Sequence, residues 1–364
     1  MKKIRIIGAA CVAALWLGLA VWAWVKPADA TSEAERRPLD QMPALSVETI
    51  LDGSFMADFE DYTLDQFPLR DGFRTVKSLF HYNLLGQKDN NGIYVTDGYA
   101  AKLEYPYNPA SAQYALSRFQ RVYEKYLADC NIYMAVVPDK GYYLAEDNGY
   151  LAMDYEAMFA DMEAGMPWAT PIDLTDCLSV EDYYRTDTHW RQENLIPVAQ
   201  KLCEALGVTV PTEADFTKTA VERPFYGVYY GQAALPMAAE TMYLMESDLL
   251  ADCKVYDFET NQYGAVYDRT KLESPDLYDI YLSGSRSLLT IENPNAATDR
   301  ELIVFRDSFG SSVAPLLVPD YVKVTLVDIR YISPEVLGHF IEFGGQDVLF
   351  LYSTLVLNNS EIIK

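Results

Sequence analysis

The chain holds three histidines, His81, His189 and His339, and His189 stands two residues after a carboxylate, Asp187, in the stretch RTDTHW. In extended chain, residues two apart point the same way. Asp187 can therefore accept the imidazole Nδ1 proton and leave Nε2 free as a base. A serine hydroxyl needs such a base, because it is a poor nucleophile until a neighbour removes its proton. The matching serine is Ser308, in RDSFGSS (Arg306 to Ser312), directly after the apolar run ELIVF. A strand ending there puts the hydroxyl at the C-terminal edge of a sheet, where open α/β folds bind ligands. The amides of Ser308 to Gly310 then face an oxyanion, aided by the dipole of a following helix. Each motif also has a plain structural reading: His189 and Trp190 as a packed loop, Asp307 and Ser308 as helix caps.

The elements that must position these residues alternate between buried strand and helix. Ile132 to Val137, Glu301 to Phe305, Val322 to Ile329 and Asp347 to Val356 are apolar runs of the length expected for buried parallel strands. TPIDLTDCL adds a short strand and turn. Helical spacing is expected over Ala110 to Ala128, Tyr155 to Met162, Glu193 to Leu206 (stopped by Gly207), Ser311 to Leu317 and Pro334 to Phe343. Two amphipathic helices broken near Pro68 are expected between Asp52 and Gly86. This alternation predicts an α/β domain with a mainly parallel sheet over residues 51–364. Residues 213–300, less regular and rich in tyrosine, with FYGVYYGQAA and DLYDIYLSGSRSLLTIEN read as strand or loop pieces, are expected as an insertion lying over the site, and residues 27–50 as a spacer with little structure.

Lys2, Lys3 and Arg5 precede an apolar run from Ile6 to Val25 that ends at Lys26 and Pro27. About 20 helical residues span the roughly 30 Å hydrocarbon core. Residues 1–26 are therefore expected as a single-pass membrane anchor, N-terminus inside, with the rest exported. The competing expectation is a cleaved signal peptide and a secreted chain, because Ala28-Asp29-Ala30 has the small-x-small form of a cleavage site. A net charge of −24 repels phosphate backbones and argues against nucleic-acid binding. The five cysteines form no CxxC pair and have no nearby histidine at zinc-like spacing, so no metal site is expected, and they read as mostly buried thiols.

The pieces together resemble the DHHW family of exported bacterial proteins, relatives of the SGNH-like alginate O-acetylation proteins. The resemblance is carried, in order, by RRPLDQMP (Arg36 to Pro43), DGSFMADFEDYTLDQFPLRD (Asp52 to Asp71), NNGIYV (Asn90 to Val95), VVPDK (Val136 to Lys140), YYRTDTHW (Tyr183 to Trp190), RDSFGSSVAPLL and VDIRYI (Val327 to Ile332). It implies a circularly permuted SGNH-hydrolase-like sheet flanked by helices, and a serine-dependent acyl transfer to or from a carbohydrate. By position, Ser308 is then the nucleophile, His189 the general base and acid, and Asp187 the orienting carboxylate. No cofactor is implied. The implied partners are a polysaccharide acceptor and a membrane-bound O-acyltransferase as acetyl donor. An esterase, or a non-catalytic carbohydrate-binding or assembly component, is the alternative.

The chain departs from the family pattern at two places. Thr188 stands where the family name has its first histidine, and Ser283, Gly284 and Ser285 stand where relatives often have Gly-Gly-Asn. The Gly284 amide or the Ser285 hydroxyl is expected to replace that asparagine as oxyanion donor, with Gly310 beside Ser308. Arg330, Tyr183 and Tyr184 are candidate substrate contacts that also fit structural roles.

Overall fold

The computed structural model describes residues 2–364, and the chain divides into two units: residues 1–91 with 230–236, and residues 92–229 with 237–364. The first begins with α1 (Lys2–Val25), of which Lys3–Val25 has a mean hydropathy of 2.2. That length and composition suit a membrane-spanning helix or a signal sequence. The two expected amphipathic helices follow as α2 (Ser54–Asp65) and α3 (Arg70–Asn83). Between them Pro68 cannot continue a helix, and Leu69 takes a left-handed φ of 58°.

Residues 29–41, expected as loose spacer, are instead pinned to the end of α2. Gln66 accepts from the Asp29 amide and donates to the carbonyls of Asp29 and Asp40. Asp65 takes a two-pronged hydrogen bond from Arg37 (2.7 and 2.6 Å) and one from the Asp40 amide (2.9 Å). Composition suggested a linker because the stretch is rich in Pro, Ala, Ser, Thr and charge; the order comes from two polar side chains at one helix end.

The second unit is built on an eight-stranded sheet: β1 (Asn131–Val137), β2 (Thr170–Ile172), β3 (Lys254–Asp257), β4 (Gln262–Gly264), β5 (Leu288–Glu292), β6 (Arg300–Arg306), β7 (Tyr321–Val327) and β8 (Asp347–Ser353). In space they run β4-β3-β5-β7-β6-β8-β1-β2. The five from β7 to β2 are parallel, and β5, β3 and β4 extend the sheet antiparallel. The stretch 213–300, read from the sequence as strand or loop pieces of an insertion, supplies three of these strands: β4 at the sheet edge, β3 beside it, and β5 inside the sheet with four of its five residues buried.

Alternation along each inner strand feeds two cores. In β6, Leu302 and Val304 face one, with α6 (Ile196–Leu206) packed there. Ile303 and Phe305 face the other, covered by α4 (Pro109–Tyr126) and α5 (Tyr155–Gly165). Continuous apolar runs are what burial on both faces requires. From β6 the chain moves on to β7 at one side, whereas β1 leads to β2 at the other, so the middle strands end beside a topological switch point.

The Arg37 guanidinium holds the Asp65 carboxyl at about 2, against an ordinary 3.8. A depressed folded pKa stabilises fully above the unfolded value and is lost as pH falls through the folded one. The thermal midpoint of the full chain in detergent should therefore exceed that of Asp65→Asn by a constant margin above about pH 5, and the margin should shrink steadily down to pH 2. A margin independent of pH would contradict this ion pair.

Candidate active site

Ser308 stands two residues after β6 ends at Arg306, and His189 lies in the loop after Tyr183. The structure brings them together across 119 residues: His189 Nε2 is 2.8 Å from Ser308 Oγ. On the other side of the ring, Nδ1 is 2.6 Å from Asp187 Oδ1. The carboxylate also accepts the amides of His189 (3.0 Å) and Val228 (2.8 Å). With two amides fixing the carboxylate, Nδ1 is held as the donor and Nε2 is left to accept the serine proton. The imidazole lies flat on Tyr278, ring centroids 3.8 Å apart and 8° from parallel, with Phe309 tilted against it at 5.1 Å. Asp187 is fully buried and His189 nearly so. This line can make a serine oxygen nucleophilic and carry its proton.

Three further side chains hold the two loops in register. Trp190 is fully buried and its indole N–H donates to the Phe309 carbonyl (3.1 Å) and Ser312 Oγ (2.9 Å). Tyr278 donates to the same hydroxyl (2.8 Å), and Gln192 donates to the Ser312 carbonyl (2.8 Å). The turn carrying Ser308 is fixed by Asp307, which accepts the Phe309 amide (3.0 Å) and, from the end of β8, the Ser353 amide (2.8 Å). Beneath RTDTHW, the buried Lys140 donates to the Tyr184 carbonyl (2.8 Å), with burial pushing its pKa down to about 7. Glu240 accepts the amides of Arg185 and Thr186, both at 2.9 Å.

Several expected contacts lie elsewhere. The Gly310 amide is used by the Asp307 carbonyl (3.2 Å) and the Phe309 amide by the Asp307 side chain, leaving the Ser308 amide as the one of the three without a hydrogen bond among the described residues. Gly310 is glycine because a Cβ there would sit 2.7 Å from that of Arg306. The helix after Ser308 covers Gly310–Val313 and then tightens into a 3₁₀ turn, Ala314–Leu317, so its dipole is small. The Gly284 amide donates to the Tyr281 carbonyl (3.1 Å), Ser285 is exposed, and neither hydrogen-bonds Ser308 or His189. Arg330 is taken by Asp328 through two hydrogen bonds of 2.9 and 2.6 Å. The Tyr183 hydroxyl donates to the Pro138 carbonyl (2.5 Å), and Tyr184 packs its ring on Phe225 inside the core. The Gly284 and Gly310 amides, Arg330 and the Tyr183 hydroxyl are thus engaged within the protein, Tyr184 lies in the core, and Ser285 is exposed.

Lys140 closes the VVPDK motif and Gln192 stands two residues beyond Trp190, whereas Tyr278, Glu240, Gly227 and Val228 carry no motif that sequence reasoning could read. The stretch 213–300 forms a wall of the site, supplying the amide that holds Asp187 and the ring beside His189.

With this geometry in place, the comparisons with known proteins can be read. The model of the DHHW protein family matches residues 173–327. That interval holds both motifs. A DHHW family protein from Eubacterium siraeum is similar in structure at a TM-score of 0.62 and 23% identity, covering 75% of this chain and 95% of its own. PatB1 from Bacillus cereus, solved with a sulfonyl adduct, is similar at a TM-score of 0.56 and 17% identity, covering 73% of this chain and 95% of its own. These likenesses bear out the expected fold, an α/β domain around a mostly parallel sheet. The comparison with curated proteins gives no match.

Gly227 touches Asp187 so closely that an added Cβ would fall 2.2 Å from the Asp187 Cα. Backbone cannot yield as a flexible side chain does, so Gly227→Ala should displace the carboxylate. Reaction of Ser308 with a sulfonyl fluoride, followed by mass spectrometry, should slow by about a hundredfold, the scale set by a misplacement near 1 Å. An unchanged rate would show that the position of Asp187 does not govern the serine.

Proposed function

We propose that the protein is an extracytoplasmic, serine-dependent O-acetyltransferase that acts on an exported or cell-surface polysaccharide. The observation that carries this reading is the continuous hydrogen-bonded line from Asp187 through His189 to Ser308. The resemblance to the DHHW proteins supports the reaction class, and the apolar helix α1 supports a place outside the cytoplasm.

In the first half-reaction Ser308 Oγ attacks the acetyl carbonyl carbon while His189 Nε2 takes the hydroxyl proton. The tetrahedral oxygen accepts a hydrogen bond from the Ser308 amide. Collapse breaks the bond to the donor's leaving group, which His189 protonates. In the second, a sugar hydroxyl gives its proton to His189 and attacks the acetyl-serine; the bond to Oγ breaks and the proton returns to Ser308. Asp187 holds the ring in the productive tautomer and stabilises the imidazolium formed midway. An acetyl donor such as acetyl-CoA is cytoplasmic, so the acetyl group must be handed across the membrane, and a membrane-bound O-acyltransferase is the proposed donor.

The test uses the full chain in detergent with an activated acetyl ester, with and without oligosaccharide acceptors. Acetyl-sugar should form, and Ser308→Ala and His189→Ala should each lower its rate by about three orders of magnitude or more. Release of acetate alone, unaffected by acceptor, would instead establish an esterase. Full activity in both variants, or no acyl-serine in the wild type, would overturn the assignment of these residues.

A further inference from the structure

Helix α3 is amphipathic the wrong way round for a water-soluble protein. Arg70, Arg74 and Ser78, four residues apart, form the stripe turned toward the rest of the first unit. Arg70 and Arg74 both pair with Glu35, at 2.6 and 3.0 Å. Arg74 also donates to the Gly231 carbonyl (2.8 Å), and the buried Ser78 hydroxyl donates to the Ala233 carbonyl (3.0 Å). The opposite stripe is large and apolar, with Leu69, Phe73, Val76, Phe80 and Leu84 exposed by 62, 48, 64, 48 and 71%. A surface helix normally turns its apolar stripe to the core and its polar stripe to water. An outward stripe of this size needs a cover.

The same unit suggests what the cover is. It contains α1, whose length and hydropathy suit a bilayer span. The last turn of α1 is in contact with α2: the Trp24 and Phe59 rings lie 6.5 Å apart, and a groove of about 280 Å³ is lined by Ala20, Trp24, Phe59 and Phe67. Tryptophan at the end of an apolar span, followed here by Lys26, marks a membrane–water interface. Four residues after α2 the chain enters α3, so the exposed stripe begins within one short helix of the point where α1 leaves the hydrocarbon. At 14 residues, α3 is about 21 Å long, too short to cross the bilayer and suited to lying along it. With Arg70 and Arg74 held inward by Glu35, the exposed cation of α3 is Lys77, whose stem is long enough to reach lipid phosphate beside a submerged stripe.

We infer that α3 is an interfacial foot: it lies in the plane of the membrane with Phe73, Val76, Phe80 and Leu84 in the headgroup–acyl boundary, beside the exit of α1. The inference is independent of the acyl-transfer chemistry and rests on α1 remaining in the bilayer. The foot ties the first unit to the membrane surface by a second contact, which a single flexible linker after α1 would not provide.

Site-specific photocrosslinking on the full chain tests it. Benzoylphenylalanine replaces Phe73, Phe80 or the exposed polar Asp71, one at a time, and each protein is illuminated in phosphatidylethanolamine–phosphatidylglycerol vesicles and in native membranes. Phospholipid adducts should form at positions 73 and 80 at least fivefold more than at position 71, in both settings. Adducts mainly with a second copy of the chain, or with another protein in native membranes, would overturn the inference in favour of a protein-docking face. Equal lipid labelling at all three positions would overturn it as well.

Discussion

The candidate site depends on one buried carboxylate. Asp187 is out of water, and a charge in that position is tolerated only when its oxygens are hydrogen-bonded. It has the His189 ring N–H, the His189 amide and the Val228 amide. These bonds come from two separate stretches of chain, so satisfying the charge also requires that residues 227–228 fold against RTDTHW. The close approach of Gly227 follows from the same requirement. A carboxylate that needs two backbone donors imposes backbone contact, and backbone contact excludes a side chain.

From that carboxylate the constraints run outward in order. The imidazole is aligned along its edge by Asp187 and over its face by Tyr278, which leaves one direction for Nε2, toward Ser308. Ser308 must then be held to within a fraction of an ångström by its own turn. Asp307 does this from one side through the amides of Phe309 and Ser353. Trp190 and Gln192 do it from the other, through the backbone and hydroxyl of Phe309 and Ser312. The tryptophan next to the histidine is therefore a brace between the two motifs, and the bland reading of a packed loop and the functional reading of a site describe the same contact. The same economy explains the departures at Ser283 to Ser285. The Gly284 amide there is taken by the Tyr281 carbonyl and the Ser283 hydroxyl by Asp268.

The sheet supplies what the loops cannot. β6 lies between the parallel strands β7 and β8, with apolar cores on both faces, and its C-terminal end beside the switch point is a rigid place from which to present a hydroxyl. The first unit has a different logic. Its helices are fixed by charged and amide side chains, Glu35, Asp65 and Gln66 with their arginine and backbone partners, and they leave apolar residues outward.

Much of this was legible in the amino-acid sequence because it depends on local pattern. Apolar runs of strand length located β1, β6, β7 and β8 to within a few residues, since a strand buried on both faces has no polar position to confuse it. Gly207 ended its helix as expected, in the left-handed conformation that favours glycine. Asp187 and His189 could be paired from their spacing, and Ser308 from its place after an apolar strand. What the sequence could not determine is which groups are already engaged. The amides of Gly310 and Gly284, and the side chains of Arg330 and Tyr183, are used internally by partners chosen by tertiary folding. Nor could it show Tyr278 under the imidazole or Gly227 against Asp187, because those contacts join residues 40 and more apart with no periodicity to announce them. Local pattern decides elements and the types of residue at their ends; only the closed structure decides which hydrogen-bonding groups are left to meet a substrate.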